Sequence, residues 1–389
     1  MTTKNSIVDY IRGIPKVELH LHIEGSFEPE LVFEIAKRNQ LAVKIERPAP
    51  QNSEERAAIK KLSQKARDIG AELIQGDDGS IKVLFDSAAQ LSQAYNFDNL
   101  QAFLDIYYAG MNVLQSEQDF YDLTIAYLER CYAHNVLHTE IFFDPQAHTC
   151  RGISFETVIN GINRALDDGE KKYSISSGLI MSYLRHLSEE DAISTWQAAQ
   201  PYLDKFIGVG LDSAELGHPP SKFENVFAMA RAANKKVVAH AGEEGPPAYI
   251  WQALDLLKVD RVDHGNRSLE DSALVTRLVN DKMTLTVCPL SNNKLQVVTE
   301  MSAHPLKKML DHGLKATVHS DDPAYFGGYI NENFEAVQEA LGLSKDDIYR
   351  LVLNAVDGSF MLERQKTALR TKVDAYHQAA LSRNGRFQE

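Results

Sequence analysis

The stretch KVELHLHIEG, residues 16–25, alternates as a strand does: Val17, Leu19, Leu21 and Ile23 share one face, and Glu18, His20, His22 and Glu24 the other. Two imidazoles on one side of a strand can offer nitrogen to a single metal ion. Residues of the same chemistry end other apolar runs: His240 with Glu243 in HAGEEGP, His264 in VDHGN, and Asp321 with Asp322 in HSDDPAYFGG. Three imidazoles with one hard carboxylate oxygen suit zinc, and a catalytic zinc keeps a position for a water whose pKa it lowers to about 7. A nucleophile made that way needs a base or orienting group, and its leaving group needs an acid. His264 and Glu243 are the candidates for those roles.

Such a cluster forms only where strand ends converge. Strand candidates lie at 17–25, 136–144, 177–184, 206–212, 235–242, 260–265, 283–290 and 315–322, and amphipathic stretches such as FETVINGINRALDDGEKKY and LEDSALVTRLVND separate them. Strand–helix alternation implies parallel strands joined by right-handed crossovers. Eight such strands suggest an α/β fold, a (β/α)8 barrel of the TIM type, whose strand C-terminal ends all meet at one face. Periodicity leaves a doubly wound open sheet as the alternative.

Residues 1–389 are therefore expected to form a single barrel domain. About 110 residues separate the first two strand candidates, far more than an ordinary connection needs. Residues 26–135 are read as an elaborated first βα connection, a long helical insertion, with LQAFLDIYYAGMNVLQSEQDFYDLTIAYLERCYAH as two amphipathic helices. A loop there sits over the mouth of a barrel, so a lid is one reading and a helical decoration the other. LSKDDIYRLVLNAVDGSFM and the segment after it read as extra C-terminal helices.

A net charge of −13 gives no broad attraction for phosphate backbones or anionic membranes, which argues against nucleic-acid and membrane partners. The three cysteines form no C-x-x-C pair, which fits free thiols in a reducing compartment. No apolar h-region opens the chain and no run spans a bilayer, so the expected location is the cytoplasm. His134 and His138 have helical metal-pair spacing, but a strand begins between them. His304 and His312 are read as lying on a solvated helix, and FGGY lacks the G-K-[ST] of a phosphate loop.

The stretches VELHLHIEG, GLDSAELG, HAGEEGP, VDHG, CPLSN and SDDP, in this order from about residue 14 to about 334, resemble the adenosine/adenine deaminase family of zinc aminohydrolases. Cytidine-type deaminases use H-x-E with P-C-x-x-C instead. The resemblance implies one Zn2+ per chain on His20, His22, His240 and Asp321. It implies that His264 orients and helps deprotonate the zinc-bound water, that Glu243 protonates purine N1, and that Asp322 hydrogen-bonds N7. A backbone N–H near Glu215 would hold N3.

Adenosine deaminases usually read H-x-H-x-D-G, and here Glu24 takes the Asp position. Its extra methylene pushes a carboxylate into the space of a ribose, and it could accept the N9–H of a free base. Together with SDDPAYFGGYINENF this looks most like the adenine deaminase branch: hydrolytic deamination of adenine, a small-molecule purine, to hypoxanthine and ammonia in purine salvage. Adenosine, or an N6-substituted adenine, is the alternative substrate, and a catalytically inactive binding protein the alternative class. An amidohydrolase with two metals usually bridges them with a lysine on the fourth strand, which FIGVGLD lacks. Two departures stand out. His319 replaces the family's Asn and should point inward beneath Asp321, and the polar segment 45–85 is long enough to suggest room for a larger base or a surface insertion.

Overall fold

A computed structural model describes residues 3–95 and 100–385. All eight expected strands are present. They are β1 (Lys16–His22) and, after three strands of the insertion, β2 (Val43–Arg47), β3 (Glu72–Gln75) and β4 (Ile81–Phe85), the run β5 (Val136–Phe143), β6 (Ser176–Leu184), β7 (Gly208–Asp212), β8 (Lys236–Ala241), β9 (Arg261–His264), β10 (Thr284–Val287) and β11 (Lys315–Val318).

The eight pair in the order β1-β5-β6-β7-β8-β9-β10-β11, each pair parallel. A doubly wound sheet would reverse its order at a switch point, and this sheet does not. It curls instead, as in a TIM-type fold. Just past β11, Asp321 bridges to Leu21 of β1: His22 N–H donates to the Asp321 carbonyl at 3.1 Å, and Asp321 N–H donates to the His20 carbonyl at 3.0 Å. Helices cover the sheet. Phe155–Tyr173, capped by the Ser154 side chain accepting from Thr157 N–H, buries Val158, Ile159, Ile162, Ala165 and Leu166. Such cover explains why the strands are apolar on their outer face, with polar residues confined to the inner one.

That inner face holds a buried polar plug. Arg261 donates to Glu140 Oε2 at 2.5 Å and to the Leu19 carbonyl at 3.0 Å, and both charged side chains are fully buried. Burial pushes the Glu140 carboxyl up, but the Arg261 guanidinium and His138 more than offset this and hold it at about 2. Arg261→Met is expected to cost about 3–5 kcal/mol, because it removes the guanidinium from a buried carboxylate and leaves it only His138 and the Phe360 N–H. Urea unfolding measures this; a loss under about 1 kcal/mol would contradict it.

The first connection differs from the helical insertion expected. The helices Leu100–Gly110 and Glu117–Ala133 are there, but so is a three-stranded antiparallel sheet, β2-β4-β3, beside the helix Ser53–Asp68. Val43 and Ile45 face Phe85 and Val83 in its buried layer. Strands of four or five residues are too short to leave more than a faint period of two. The C-terminal helices Lys345–Gly358 and Glu363–Gly385 are as expected. His304 is not: it is buried, 3.2 Å from Asn292 Oδ1, and accepts from Leu306 N–H. A histidine following a three-residue 3-10 turn has no helical period to reveal its burial. Among the described residues no helix is long and apolar enough to cross a membrane.

Candidate active site

The C-terminal ends of the strands bring His20, His22, His240, His264, Glu243, Asp321 and Asp322 to one buried place. The Asp321 backbone is clamped between those of His20 and His22, so its side chain cannot drift from theirs. His22 Nε2 lies 3.2 Å from His240 Nε2, and Asp321 Oδ1 lies 3.5 Å from both His20 Nε2 and His22 Nε2. Burial drives the imidazoles toward the neutral state, His20 down to about 4 and His240 well below its ordinary value. Buried His20 Nε2 has no hydrogen-bond partner. Four donors at about 2.1 Å from a tetrahedral zinc stand about 3.4 Å apart, so the observed spacings fit one such ion.

A tight grouping also includes His264: His20, His240, His264 and Asp321 offer ligand atoms within 4.8 Å of one another. What backs each ring separates the two histidines. Behind His22, Asp212 Oδ2 stands 3.4 Å from Nδ1, the carboxylate–imidazole arrangement that orients metal ligands. The Nε2 of His264 instead stands 3.6 Å from Glu243 Oε2 and 3.9 Å from Asp321 Oδ2. His20 is backed by Thr286 Oγ1 at 2.8 Å from Nδ1, and that hydroxyl donates to Asp263. Both His264 and Asp321 have left-handed backbone, φ 64° and 63°, which non-glycine residues adopt at a cost and which clusters at functional sites.

Glu243 sits in the loop after β8. Burial, then the charges of Asp321, Glu244 and Glu215, push its carboxyl well above the ordinary range. Glu215 shapes that loop: its carboxylate accepts from Gly242 N–H at 2.7 Å, Glu244 N–H at 2.8 Å and Gly245 N–H at 2.7 Å. Glu215 does not line the cavity, so its side chain builds the loop and does not touch a ligand there. Glu215→Ala frees three buried donors, and kcat is expected to fall on the order of 10²-fold through misplacement of Glu243. Turnover within about twofold of wild type would show that the loop holds itself.

A cavity opens at the strand ends. His22, His240, Glu243, His264, Asp321 and Asp322 form its polar floor, and Phe103, Leu104, Tyr107 and Tyr108 of the insertion form much of its apolar wall. Tyr108 O–H donates to Ser213 Oγ at 3.0 Å, tying that helix to the end of β7. No described residue of 45–85 lines the cavity, so enlargement of the pocket by that segment finds no support. Burial, then the neighbouring Asp321, push Asp322 well above the ordinary carboxylate range. A β-carbon on Gly25 would fall 1.9 Å from Asp322 Oδ1, so glycine is required beside it.

Glu24 is fully buried but does not line the cavity. Its Oε1 accepts from Asp144 N–H at 3.1 Å and faces His148 Nε2 at 2.8 Å. His319 does point inward, but into the plug: its Nδ1 accepts from Leu19 N–H at 3.1 Å and its Nε2 lies 2.7 Å from Thr317 Oγ1. His134 and His138 do not join: His138 bonds within the sheet, 2.8 Å from Ser176 Oγ. Asp144 and Asp212, both lining the cavity, were missed by sequence reasoning, although each closes a strand candidate (FFD, GLD) as the chosen residues do. Arg185 was missed too; fully buried, it donates to the His240 carbonyl at 2.6 Å.

The model of the adenosine deaminase family matches residues 82–376. The adenine deaminase of Sphingopyxis alaskensis is 55% identical over 367 residues, 94% of this chain and 96% of that protein. That of Acinetobacter baylyi is 52% identical over 358 residues, 92% of this chain and 96% of that one. Among solved structures, the adenine deaminase of Arthrobacter aurescens aligns with a TM-score of 0.82 at 42% identity, over 94% of this chain and all (100%) of that one. An amidohydrolase from Burkholderia ambifaria, solved with bound Zn, aligns with a TM-score of 0.75 at 25% identity, over 98% and 95% of the two chains.

Proposed function

This chain belongs to the adenosine deaminase family, and from that premise we propose that it hydrolyses adenine to hypoxanthine and ammonia. The observation that carries the reading is the meeting of a buried His/Asp cluster with two carboxyl groups, Glu243 and Asp322, whose pKa burial raises, on the floor of one cavity. Support for free adenine comes from the two relatives above that share half or more of their residues with the chain.

His20, His22, His240 and Asp321 would hold one divalent cation, read as zinc from its nitrogen-rich donor set. When bound, such a cation makes a water nucleophilic near neutral pH. The rest falls to the chain. His264, beside both Glu243 and Asp321, orients the attacking water and takes its proton. Oxygen adds to C6, and charge would build on the ring unless N1 were protonated, so Glu243 gives N1 its proton. N7 is an acceptor, and Asp322, whose pKa is raised by burial and then by Asp321, meets it as an O–H donor when it holds its proton. His264 passes the water's proton to N6, the C6–N6 bond breaks, ammonia leaves, and the C6 hydroxyl proton returns to Glu243 as the carbonyl of hypoxanthine forms.

Residues 26–135 act as a lid in this reading, their aromatic wall excluding water from a curled sheet taken as a closed (β/α)8 barrel. Purine salvage in the cytoplasm fits the reaction and the three free thiols. Ammonia release from adenine, adenosine and N6-methyladenine, at equal enzyme, tests the assignment. Adenine is expected to lead; a preference for either of the others, or no turnover of any, overturns it.

A further inference from the structure

Resting on that reading, we propose that Asp144 is the specificity-determining residue that accepts the ring N–H at position 9 of a free purine base and thereby excludes bases substituted there. Glu24 holds the position at which the family's sequence pattern places a ribose contact, but it does not line the cavity, and its unpaired Oε2 is buried away from it. Its Oε1 is engaged by the Asp144 N–H and by His148, whose proton sits on Nε2 because Nδ1 accepts from Arg151 Nη2 at 3.0 Å. Asp144 stands where Glu24 does not: it follows β5 directly, is 2% exposed, and lines the cavity. Its Oδ1 is buried and receives no N–H or hydroxyl donor from the chain, its nearest charged neighbour being the Asp212 carboxyl, which can only share a proton with it.

A buried oxygen left unpaired is costly, so it selects a ligand that supplies a donor. Two other carboxyls on this cavity have oxygens without a donor: Asp322, which the proposed reaction gives to N7, and Asp212, which already faces His22 Nδ1. Asp144 faces no imidazole within ion-pairing distance.

The shape of the base assigns which donor it receives. With C6 over the His/Asp cluster, N1 toward Glu243 and N7 toward Asp322, the imidazole edge carrying N9 lies on the Asp322 side, away from Glu243. Asp322, Asp212 and Glu24 are the charges that act on Asp144; Glu243 is not among its principal neighbours. Tyr107 and Tyr108 of the insertion wall off the same side, so a substituent on N9 would meet both an unpaired oxygen and a closed wall.

The test uses the metal-loaded full chain, wild type against Asp144→Ala and Asp144→Asn. Hypoxanthine and 9-methylhypoxanthine are compared by calorimetry, and adenine and 9-methyladenine by ammonia release. A site built around a substrate N–H rejects the analogue lacking it by up to about 10⁴-fold. Wild type is therefore expected to bind hypoxanthine at least about 100-fold more tightly than its 9-methyl form, and Asp144→Ala to bring the two within about tenfold. KM for adenine should rise more than kcat falls. Asp144→Asn keeps the shape and should lie between, which covers a failure of the alanine variant to fold. Equal losses for methylated and unmethylated bases, or no loss of discrimination in either variant, overturns the assignment. Absence of adenine turnover in wild type with the binding contrast intact would sink the deaminase reading alone.

Discussion

Glu243→Gln is expected to lower kcat for adenine by about 10²–10⁴-fold while KM stays within about threefold. Glutamine keeps the volume and a donor N–H but has no proton to give, so the ground-state hydrogen bond to N1 survives and the transition-state transfer does not. Loss confined to kcat is the mark of an interaction made only in the transition state. The pH profile adds a second reading. Burial and its carboxylate neighbours raise the pKa of Glu243, and the acid works only while protonated. Wild-type kcat should therefore fall as pH rises through that raised value, and the glutamine variant should lack this limb. A variant that keeps more than about a tenth of wild-type kcat would remove Glu243 from the chemistry.

Chelation should be the larger blow. A protein stripped of metal and returned to chelator-free buffer is expected to lose at least about 10³-fold in activity, since no group on the chain makes water a nucleophile at pH 7 as a Lewis acid does. One equivalent of zinc should restore it. The chain is prepared for this: burial already keeps His20 at about 4 and His240 well below its ordinary value, so at pH 7 a metal has no proton to displace from these two. The stripped protein should also melt lower, because an ion that binds only the folded state stabilises it by RT ln(1 + [ion]/Kd). His240→Ala should bind less than one metal per chain and show the same melting temperature with and without zinc. Full activity in a sample with no metal by elemental analysis would end the argument.

The eight parallel strands and the strand-end histidines were legible for one reason. A strand buried on both faces must be apolar nearly throughout, so a polar residue at its end stands out, and period two states which neighbours share its side. His20, His22, His240, His264 and Asp321 were found that way. The small sheet β2-β4-β3 was not, because five-residue strands such as VKIER alternate too briefly to separate from the charged helix beside them. His304 was misjudged because its burial comes from Asn292 and Leu306, not from any period of its own.

What the chain determined by itself was therefore the inventory: which residue types end which strands, and in what order. Which of them meet a ligand was decided by contacts between segments far apart in the chain. Asp321 joins the cluster because its backbone pairs with that of His20 and His22. Glu24 turns away because His148, 124 residues on, takes its oxygen and leaves Asp144 facing the cavity. Glu215 builds a loop through three N–H groups that carry no mark in the sequence. Local period encodes the direction of a side chain relative to its own strand; hydrogen bonds between distant segments form only after folding has brought them together, and they settle which buried oxygen remains unpaired.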